Sequence, residues 1–335
     1  MRVIKSTICI FKKCVLKIFI FLSLFFITSC NKEKIEILSF KTTSIEIPDE
    51  LSRAGAFYFS IGNKGFVGCG RNDTAVLNDV WEFDSETTKW GKKSNFIGIA
   101  RVGAVATSCN GKAYAGLGYA PQLGDLQPQS YLRDFYEYVP ETDSWKQLAD
   151  YPTSFTDFCI IFSSNNKIFV STGFDGTNFD NRTWMYDPTL NSWKEVGSIP
   201  IARVNAVCIE NSRIFAGTGF YGNKNDWYEF DTIRNTWNEK SSMPDKGRLS
   251  AYSLVIQDKV FVAGGRHWGG DGDKRKDLST IYQYHIENNS WTKAGDLPEI
   301  AREKAISFKF QNIAYFGLGE NDSGLLPNFW KIEIE

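Results

Sequence analysis

The sequence predicts an all-β protein in which six copies of one four-stranded antiparallel unit follow one another along the chain. Tryptophans recur at intervals of 55, 48, 44 and 54 residues, and each follows two further aromatic side chains that lie nine and seven residues earlier. A small-residue signature that ends in glycine lies upstream of every aromatic pair. Repeats of four short strands with a period near fifty residues are typical of a β-propeller, in which each repeat forms one blade.

Each repeat is predicted to contain an inner apolar strand, a polar turn, a second apolar strand, a loop, an aromatic strand and a tryptophan strand. In the fifth repeat the apolar strands are residues 251–256 and 259–263, with Gln257 and Asp258 as the turn. The paired aromatics are two residues apart, so both lie on one face of their strand. The five pairs with their tryptophans are Trp81, Phe83 and Trp90; Tyr136, Tyr138 and Trp145; Trp184, Tyr186 and Trp193; Tyr228, Phe230 and Trp237; and Tyr282, Tyr284 and Trp291.

The glycine signature occurs six times, which predicts six blades. Glycine at the end of the second strand permits close backbone approach and a tight exit from the strand. The six signatures are Gly68-Cys69-Gly70, Gly116-Leu117-Gly118, Ser171-Thr172-Gly173, Gly217-Thr218-Gly219, Ala263-Gly264-Gly265 and Gly317-Leu318-Gly319.

The sixth repeat is incomplete, because its aromatic strand at residues 329–334 is followed only by Glu335. We expect Ile35–Phe40 to supply the missing fourth strand. Such an N-terminal strand would close the last blade and remove exposed strand edges that favour aggregation.

The glycine signature, the aromatic-x-aromatic-Asp turn and the distal tryptophan closely resemble the kelch repeat. The resemblance covers residues of about 35–335 and implies a six-bladed propeller of four antiparallel strands per blade. Kelch relatives often close their ring by letting one terminus complete the blade of the other. The motifs are specific for the fold and weak for function, because this fold hosts many unrelated activities.

The first thirty residues predict an export signal. The leader is basic, and the apolar run at residues 18–27 is about half the ~20 residues that a membrane-spanning helix needs. Residues 27–30, Ile-Thr-Ser-Cys, resemble the bacterial lipobox, which implies that Cys30 is lipidated. The alternative is an ordinary signal peptide in which Cys30 is incidental.

These features predict the organisation of the whole chain. We expect a lipoprotein signal peptide at residues 1–30, a short polar tether at 31–34 and the propeller at 35–335. The protein would be exported and held at a membrane, the outer membrane in our expectation, on its periplasmic or surface face.

An arginine recurs about seventeen residues before the last glycine of the signature, at the start of the inner strand. If these side chains point into the central funnel, their guanidinium groups form a ring suited to carboxylates or sulfates. The alternative is that each arginine pairs with loop carboxylates or backbone carbonyls and braces the blades. The residues at this position are Arg53, Arg101, Thr156, Arg203, Arg248 and Arg302.

Two loops between the second and third strands are long, spanning 18 residues in the second repeat and 17 in the fifth against 9 to 11 elsewhere. These repeats face one another across a six-fold ring, and we expect them to bring Tyr119, Arg266, His267 and Trp268 to the rim. Long loops on a rigid scaffold often carry function, and an aromatic beside cations suits an acidic glycan. Insertions without any function are the alternative.

Composition and motifs exclude several functions. The 38 basic and 39 acidic residues give a net charge of −1, so no global field attracts nucleic acid. The calcium-like start at Asp271–Asp273 is followed by Arg275 where an oxygen ligand is needed. Galactose oxidase, which shares the kelch fold, holds copper with two His and two Tyr; this chain has only His267 and His285. We expect neither a metal nor a cofactor.

Six-bladed kelch proteins also include bacterial sialic-acid epimerases, and this resemblance implies acid/base chemistry by a Glu and an Arg near the funnel. The glycines of the fourth and fifth repeats are followed by Phe220 and Arg266, so the expected glutamate is absent there. Glu320, with Arg302 nearby in the repeat, is the remaining candidate base.

The sequence therefore predicts a lipid-anchored, non-catalytic binding protein. Its partner would be a glycan, an anionic small molecule or another protein, held in the funnel or at the blade edges. One alternative is a mutarotase or epimerase that acts on an acidic sugar such as sialic acid. Another is an assembly component that uses the propeller as a docking disc.

Overall fold

Six four-stranded sheets surround a central channel. The computed structural model describes residues 38–122, 125–220, 225–267 and 276–335, and the side chains of residues 122–129 are outside this description. The described residues form six four-stranded antiparallel sheets and three short hairpins. The predicted six-bladed propeller is therefore confirmed.

The first three blades each contain four strands, which follow one another from the channel outward. Blade 1 consists of Phe57–Ile61, Lys64–Gly68, Val80–Asp84 and Lys89–Lys93. Blade 2 consists of Val105–Cys109, Lys112–Gly116, Phe135–Val139 and Ser144–Gln147. Blade 3 consists of Ile160–Ser164, Lys167–Ser171, Arg182–Asp187 and Ser192–Ser198.

The last three blades have the same order, except that the outer strand of blade 6 comes from the start of the described chain. Blade 4 consists of Val207–Asn211, Arg213–Gly217, Trp227–Asp231 and Thr236–Lys240. Blade 5 consists of Tyr252–Ile256, Lys259–Ala263, Thr280–His285 and Ser290–Asp296. Blade 6 consists of Ile306–Phe310, Ile313–Gly317, Phe329–Ile334 and Phe40–Ile45.

Shorter elements lie between the blade strands. Two 3-10 turns span Asp49–Leu51 and Pro298–Ile300. The three hairpins, all in loops between second and third strands, pair Tyr119–Gln122 with Asp125–Tyr131, Arg266–His267 with Lys276–Asp277, and Glu320–Asn321 with Gly324–Leu325. No helix in the described ranges is long and apolar enough to cross a membrane.

The predicted fourth strand of blade 6 is displaced along the sequence. Phe40–Ile45 pairs antiparallel with Phe329–Ile334, and Phe40 lies opposite Ile334. The expected segment Ile35–Phe40 shares only Phe40 with the observed strand, and residues 35–37 lie outside the described residues. Residues 40–45 gave a weaker apolar signal than the run before them, because the observed strand has no fully buried residue and its four central residues are polar.

The aromatic repeat packs the blades. The second aromatic of each pair stands opposite the tryptophan of its blade, as Tyr138 does opposite Trp145, and the two rings are 4.9 Å apart. Each second strand is buried over its last four residues, as in Lys167–Ser171. Burial on both faces explains why these strands are continuously apolar, since each face covers a neighbouring blade.

A hydrogen-bonded ring ties each blade to the next. In every blade the N–H of the last signature glycine donates to the carbonyl oxygen at the arginine position of the following blade, over 2.7–2.9 Å. The pairs are Gly70 with Arg101, Gly118 with Thr156, Gly173 with Arg203, Gly219 with Arg248, Gly265 with Arg302, and Gly319 with Arg53. The last pair joins blade 6 to blade 1.

Gly118 shows why glycine stands at this position. Its φ is +82°, and a Cβ atom there would lie 2.5 Å from the carbonyl oxygen of Val102. A side chain would therefore both strain the backbone and push the inner strand away. Glycine is therefore needed here because the turn packs closely against the start of the inner strand of its own blade.

Candidate functional site

The repeated arginines are buried in the blades. The five guanidinium groups are at most 2% exposed. Arg101 makes a two-point contact with Asp134, at 2.6 and 2.7 Å, and also donates to the carbonyl oxygens of Ile99 and Leu117. Burial alone would raise the pKa of the Asp134 carboxyl, but the contact with Arg101 lowers this pKa below its ordinary value.

The other arginines are held in the same way, so the geometry corresponds to the bracing alternative and not to a ring of guanidinium groups that faces the funnel. Arg53 and Arg203 pair with Asp79 and Asp226. Arg248 binds Asp245 and Thr280. Arg302 donates to the carbonyl oxygens of Glu299 and Leu318. Each guanidinium connects the start of the inner strand to the glycine turn of its own blade. The planar guanidinium has five N–H donors, so it can bind several acceptors at once.

Blade 3 has a different ion pair in place of this brace. Thr156 takes the arginine position and donates to the carbonyl oxygen of Gly118 over 3.0 Å. The position that holds Asp134 in blade 2 is Arg182 in blade 3, and Arg182 pairs with Asp180 at 3.0 Å. The blade therefore keeps an ion pair near the turn although it lacks the repeated arginine.

All six blades contribute to the wall of the central channel. It has a volume of about 310 Å³ and is lined by the six inner strands. We call the end at which these strands begin the mouth. Five backbone hydrogen bonds join neighbouring blades around the channel there, from Gly103 to Gly55, Phe158 to Gly103, Asn205 to Phe158, Ser250 to Asn205 and Lys304 to Ser250.

One residue of each blade, directly after the glycine signature, lies at this mouth. In five blades this residue forms a backbone bridge with the segment that precedes the inner strand of the same blade. In blade 3 it forms a bridge with Phe179, which lies in the same loop. In order of blades the six residues are Arg71, Tyr119, Phe174, Phe220, Arg266 and Glu320. The mouth is therefore aromatic on blades 2–4 and charged on blades 5, 6 and 1.

The aromatic side forms a continuous set of half-buried rings, which we call the aromatic arc. Neighbouring ring centroids lie 4.8–6.4 Å apart from Tyr119 through Tyr131, Phe174 and Phe179 to Phe220. Tyr119 also interacts electrostatically with Asp157, Arg71 and Glu320, so the arc reaches the charged side of the mouth.

The charged side centres on Glu320. Its carboxylate pairs with Arg71 of blade 1 and with Lys304, whose Nζ lies 2.6 Å from Oε1. Burial opposes ionisation of Glu320, but Lys304 and Arg71 hold the pKa of this carboxyl below its ordinary value. Arg302, expected beside Glu320, belongs to the brace of its own blade. The lowered pKa makes Glu320 a weak proton acceptor and therefore a poor general base near neutral pH.

Asp157 is a second carboxyl at the mouth with the opposite character. Its Oδ1 is buried and has no hydrogen-bond partner among the described residues. Burial raises the pKa of Asp157 to about 7, and Lys304 only partly offsets this. A carboxyl whose pKa lies near neutrality can both accept and donate a proton.

In the described part of the long loop of blade 5, Arg266 and His267 contact residues that precede the inner strands of blades 6 and 5. Arg266 lies 2.5 Å from the buried carboxylate of Glu303. His267 contacts the carbonyl oxygen of Gly247 through Nδ1 at 2.8 Å, and its Nε2 lies 3.3 Å from Asp245. Trp268 and Cys30 lie outside the described residues. Among the described residues no group of three or more His, Cys, Asp or Glu side chains is placed to hold a metal ion.

Sequence reasoning placed Tyr119, Arg266 and Glu320 near the mouth but missed Arg71, Lys304, Asp157, Tyr131, Phe174, Phe179 and Phe220. A usable signal existed for three of them. Arg71, Phe174 and Phe220 occupy the same place in the repeat as Tyr119, directly after the signature. Asp157 and Lys304 hold different places in their repeats, and only the closed ring brings them together.

Known proteins share this architecture. Residues 162–200 and 248–298 match the Kelch motif. The chain is 27% identical to Kelch-like protein 25 of Xenopus tropicalis over 71% of its own length, but spans only 40% of that relative. It is 24% identical to N-acetylneuraminate epimerase 1 of Escherichia coli O6:H1, covering 72% of this chain and 80% of the relative.

A similar relation holds for the N-acetylneuraminate epimerase of Brucella suis, at 23% identity over 71% of this chain and 77% of the relative. The solved structure of YjhT superposes with a TM-score of 0.72 at 18% identity, over 85% of this chain and 98% of that one. The motif matches, the relatives and the six blades agree, and the chain is a kelch-repeat protein with a six-bladed β-propeller fold.

Proposed function

We propose that this protein binds an acidic carbohydrate at the mouth of its central channel while a lipid on Cys30 holds it at a membrane. The observation that carries the binding proposal is the aromatic arc beside Arg71 and Lys304. Sugar rings present apolar C–H faces that stack on aromatic side chains. A carboxylate on the same sugar would accept charge-assisted hydrogen bonds from the two cations.

The charges at the mouth favour an anionic ligand over a neutral one. Arg71 and Lys304 share the single carboxylate of Glu320, so this triad carries one uncompensated positive charge. Asp157, with its pKa near 7, adds only part of a negative charge at neutral pH. The named epimerase relatives support an acidic sugar as the ligand class, because N-acetylneuraminate carries both a carboxylate and a pyranose ring.

Asp157 supports a second candidate function, the interconversion of sugar anomers or epimers. Such a reaction needs a group that takes a proton from one position and returns it at another, and this requires a pKa near the working pH. Asp157 meets this requirement and lies at the mouth beside Tyr119. Binding without turnover is the first proposal, because the lowered pKa of Glu320 makes it a weak partner for proton transfer.

One NMR experiment tests both functions. The soluble propeller is mixed with freshly dissolved N-acetylneuraminate or with its methyl ester, which keeps the ring and removes the negative charge. Saturation transfer reports binding, and the anomeric signals report interconversion in the same tube. We expect the acid to bind at least about tenfold more tightly than the ester, a difference of about 1.4 kcal/mol.

Single substitutions test whether the ligand binds at the mouth. Arg71→Ala and Phe174→Ala should each weaken binding about tenfold, because one removes a charge-assisted bond and the other a stacking face. Arg234→Ala, at an exposed turn of blade 4, is the matched control and should change nothing. Asp157→Asn separates the two functions, since it should abolish any interconversion and retain binding. Equal binding of acid and ester, or no effect of Arg71→Ala, contradicts the proposal.

A further inference from the structure

The central channel contains a carboxyl group that the mouth site does not use. Glu210 is the fourth residue of the inner strand Val207–Asn211, so it lies toward the end of the channel opposite the mouth. Its side chain borders the channel cavity. It accepts a hydrogen bond from the backbone N–H of Ser163 in blade 3, and the Thr107 hydroxyl of blade 2 donates to its Oε2 over 3.3 Å.

The charge of Glu210 has no basic partner in the part of the chain that the structure describes. Lys309 occupies the same place in the inner strand of blade 6. It is engaged elsewhere, with its Nζ 3.2 Å from Asn211 Oδ1 and 3.5 Å from Asp258 Oδ1. The hydrogen bonds from Ser163 and Thr107 satisfy oxygen lone pairs of Glu210 and leave its formal charge uncompensated.

Glu210 is exposed to solvent where it faces the channel. Protein atoms packed around the carboxyl desolvate it and raise its pKa to about 7, and the hydrogen bonds from Ser163 and Thr107 only partly oppose the rise. A carboxylate without a counter-charge attracts cations. A cation that entered the channel would therefore be stabilised here.

The walls of the channel suit an ammonium group. Tyr58, Ser253 and Ser307 come from blades 1, 5 and 6 and line the same cavity. Tyr58 lies close enough to Ser307 and Glu210 for both to affect the pKa of its hydroxyl. An ammonium has three donors and no acceptor, so hydroxyl and carboxylate oxygens can satisfy it, and an aromatic face attracts a cation.

The size of the channel limits the ligand. Its volume of about 310 Å³ lies at the lower end of the range of about 300–1,000 Å³ for small-molecule sites. We propose that the channel binds a small organic cation, no larger than a monosaccharide, through a primary ammonium group that pairs with the carboxylate of Glu210. This site is separate from the mouth and does not rest on the function proposed for it.

A matched pair of sugars tests the proposal. D-Glucosamine and D-glucose differ at one carbon, where the first carries an ammonium and the second a hydroxyl. Titration calorimetry on the soluble propeller should show glucosamine binding at least about tenfold more tightly than glucose. Glu210→Gln keeps the shape and an acceptor for the Ser163 N–H but removes the charge, so it should reduce glucosamine binding to the level of glucose.

Two further variants keep the test decisive if Glu210→Gln does not fold. Ser253→Leu leaves the carboxylate in place and fills the channel from blade 5, and it too should abolish glucosamine binding. Arg71→Ala alters only the mouth and should leave glucosamine binding unchanged. The proposal is overturned by equal binding of the two sugars, by absence of glucosamine binding, by a preference that survives Glu210→Gln, or by its loss in Arg71→Ala alone.

Discussion

At the scale of single residues, the arginine that recurs in five blades holds the fold together. Its backbone carbonyl accepts the glycine N–H of the preceding blade, and its guanidinium binds the turn of its own blade. One residue thus connects two blades, which accounts for its recurrence without any ligand. The residues free to differ between blades are those directly after the glycines, and these line the mouth.

Replacing Arg101 by Ala should destabilise the protein by about 3 kcal/mol, because it leaves the carboxylate of Asp134 without its ion-pair partner in a largely buried site. Thermal unfolding should show a decrease in Tm of about 6 °C or more. Arg234→Ala is the matched control, since Arg234 is 77% exposed and its pair with Asp231 contributes little. An Arg101→Ala variant that melted with the wild type would show that the brace is dispensable.

The sequence was sufficient to align the arginines but not to assign their role. The partner of Arg101 lies 33 residues away and that of Arg203 lies 23 residues away. No fixed spacing therefore marks the pair. The orientation of each side chain depends on how the glycine turn folds back on the inner strand, which is a tertiary property. Asp157 was missed for the same reason, because its pKa follows from burial.

At the scale of elements, the second strand of each blade was predictable because it is buried on both faces and ends at the glycine signature, and the outer strands of blades 1–5 were predictable from their tryptophan. The outer strand of blade 6 was not placed correctly. It faces solvent on one side, so its apolar signal is weak and the flanking residues compete for the same register. Its position is determined by the ladder to Phe329–Ile334 and by packing of Phe40 on Phe261, 5.7 Å between ring centroids.

Removal of this outer strand should destabilise the propeller. A chain that begins at Glu46 lacks the whole ladder to Phe329–Ile334 and exposes the edge of that strand, whereas a chain that begins at Leu38 retains it. We expect the shorter chain to melt at least about 5 °C lower and to aggregate more readily. Identical melting curves for the two chains would mean that the six-bladed ring does not depend on the ladder.

At the scale of the whole molecule, the ring of hydrogen bonds from signature glycines to carbonyl oxygens at the arginine position, which is Thr156 in blade 3, runs through all six blades and returns from Gly319 to Arg53. The repeats in the sequence were enough to predict the ring of six blades, because each blade needs the same contacts to its neighbours. The mouth could not be predicted as a unit. It combines the residue after each glycine signature with Tyr131, Asp157, Phe179 and Lys304, and their chemistry follows no period.

Attachment of the propeller to a membrane is predicted to depend on Cys30. Replacing Cys30 by Ala should abolish incorporation of labelled palmitate and release the protein into the soluble fraction or leave the leader uncleaved. The reason is energetic, because two acyl chains anchor a protein firmly where a single chain is marginal. Cys14→Ala, within the same leader, is the matched control and should be labelled and fractionated as the wild type. If palmitate labelling persists after Cys30→Ala, the resemblance to a lipobox is incidental and the basic, apolar leader acts as an ordinary export signal.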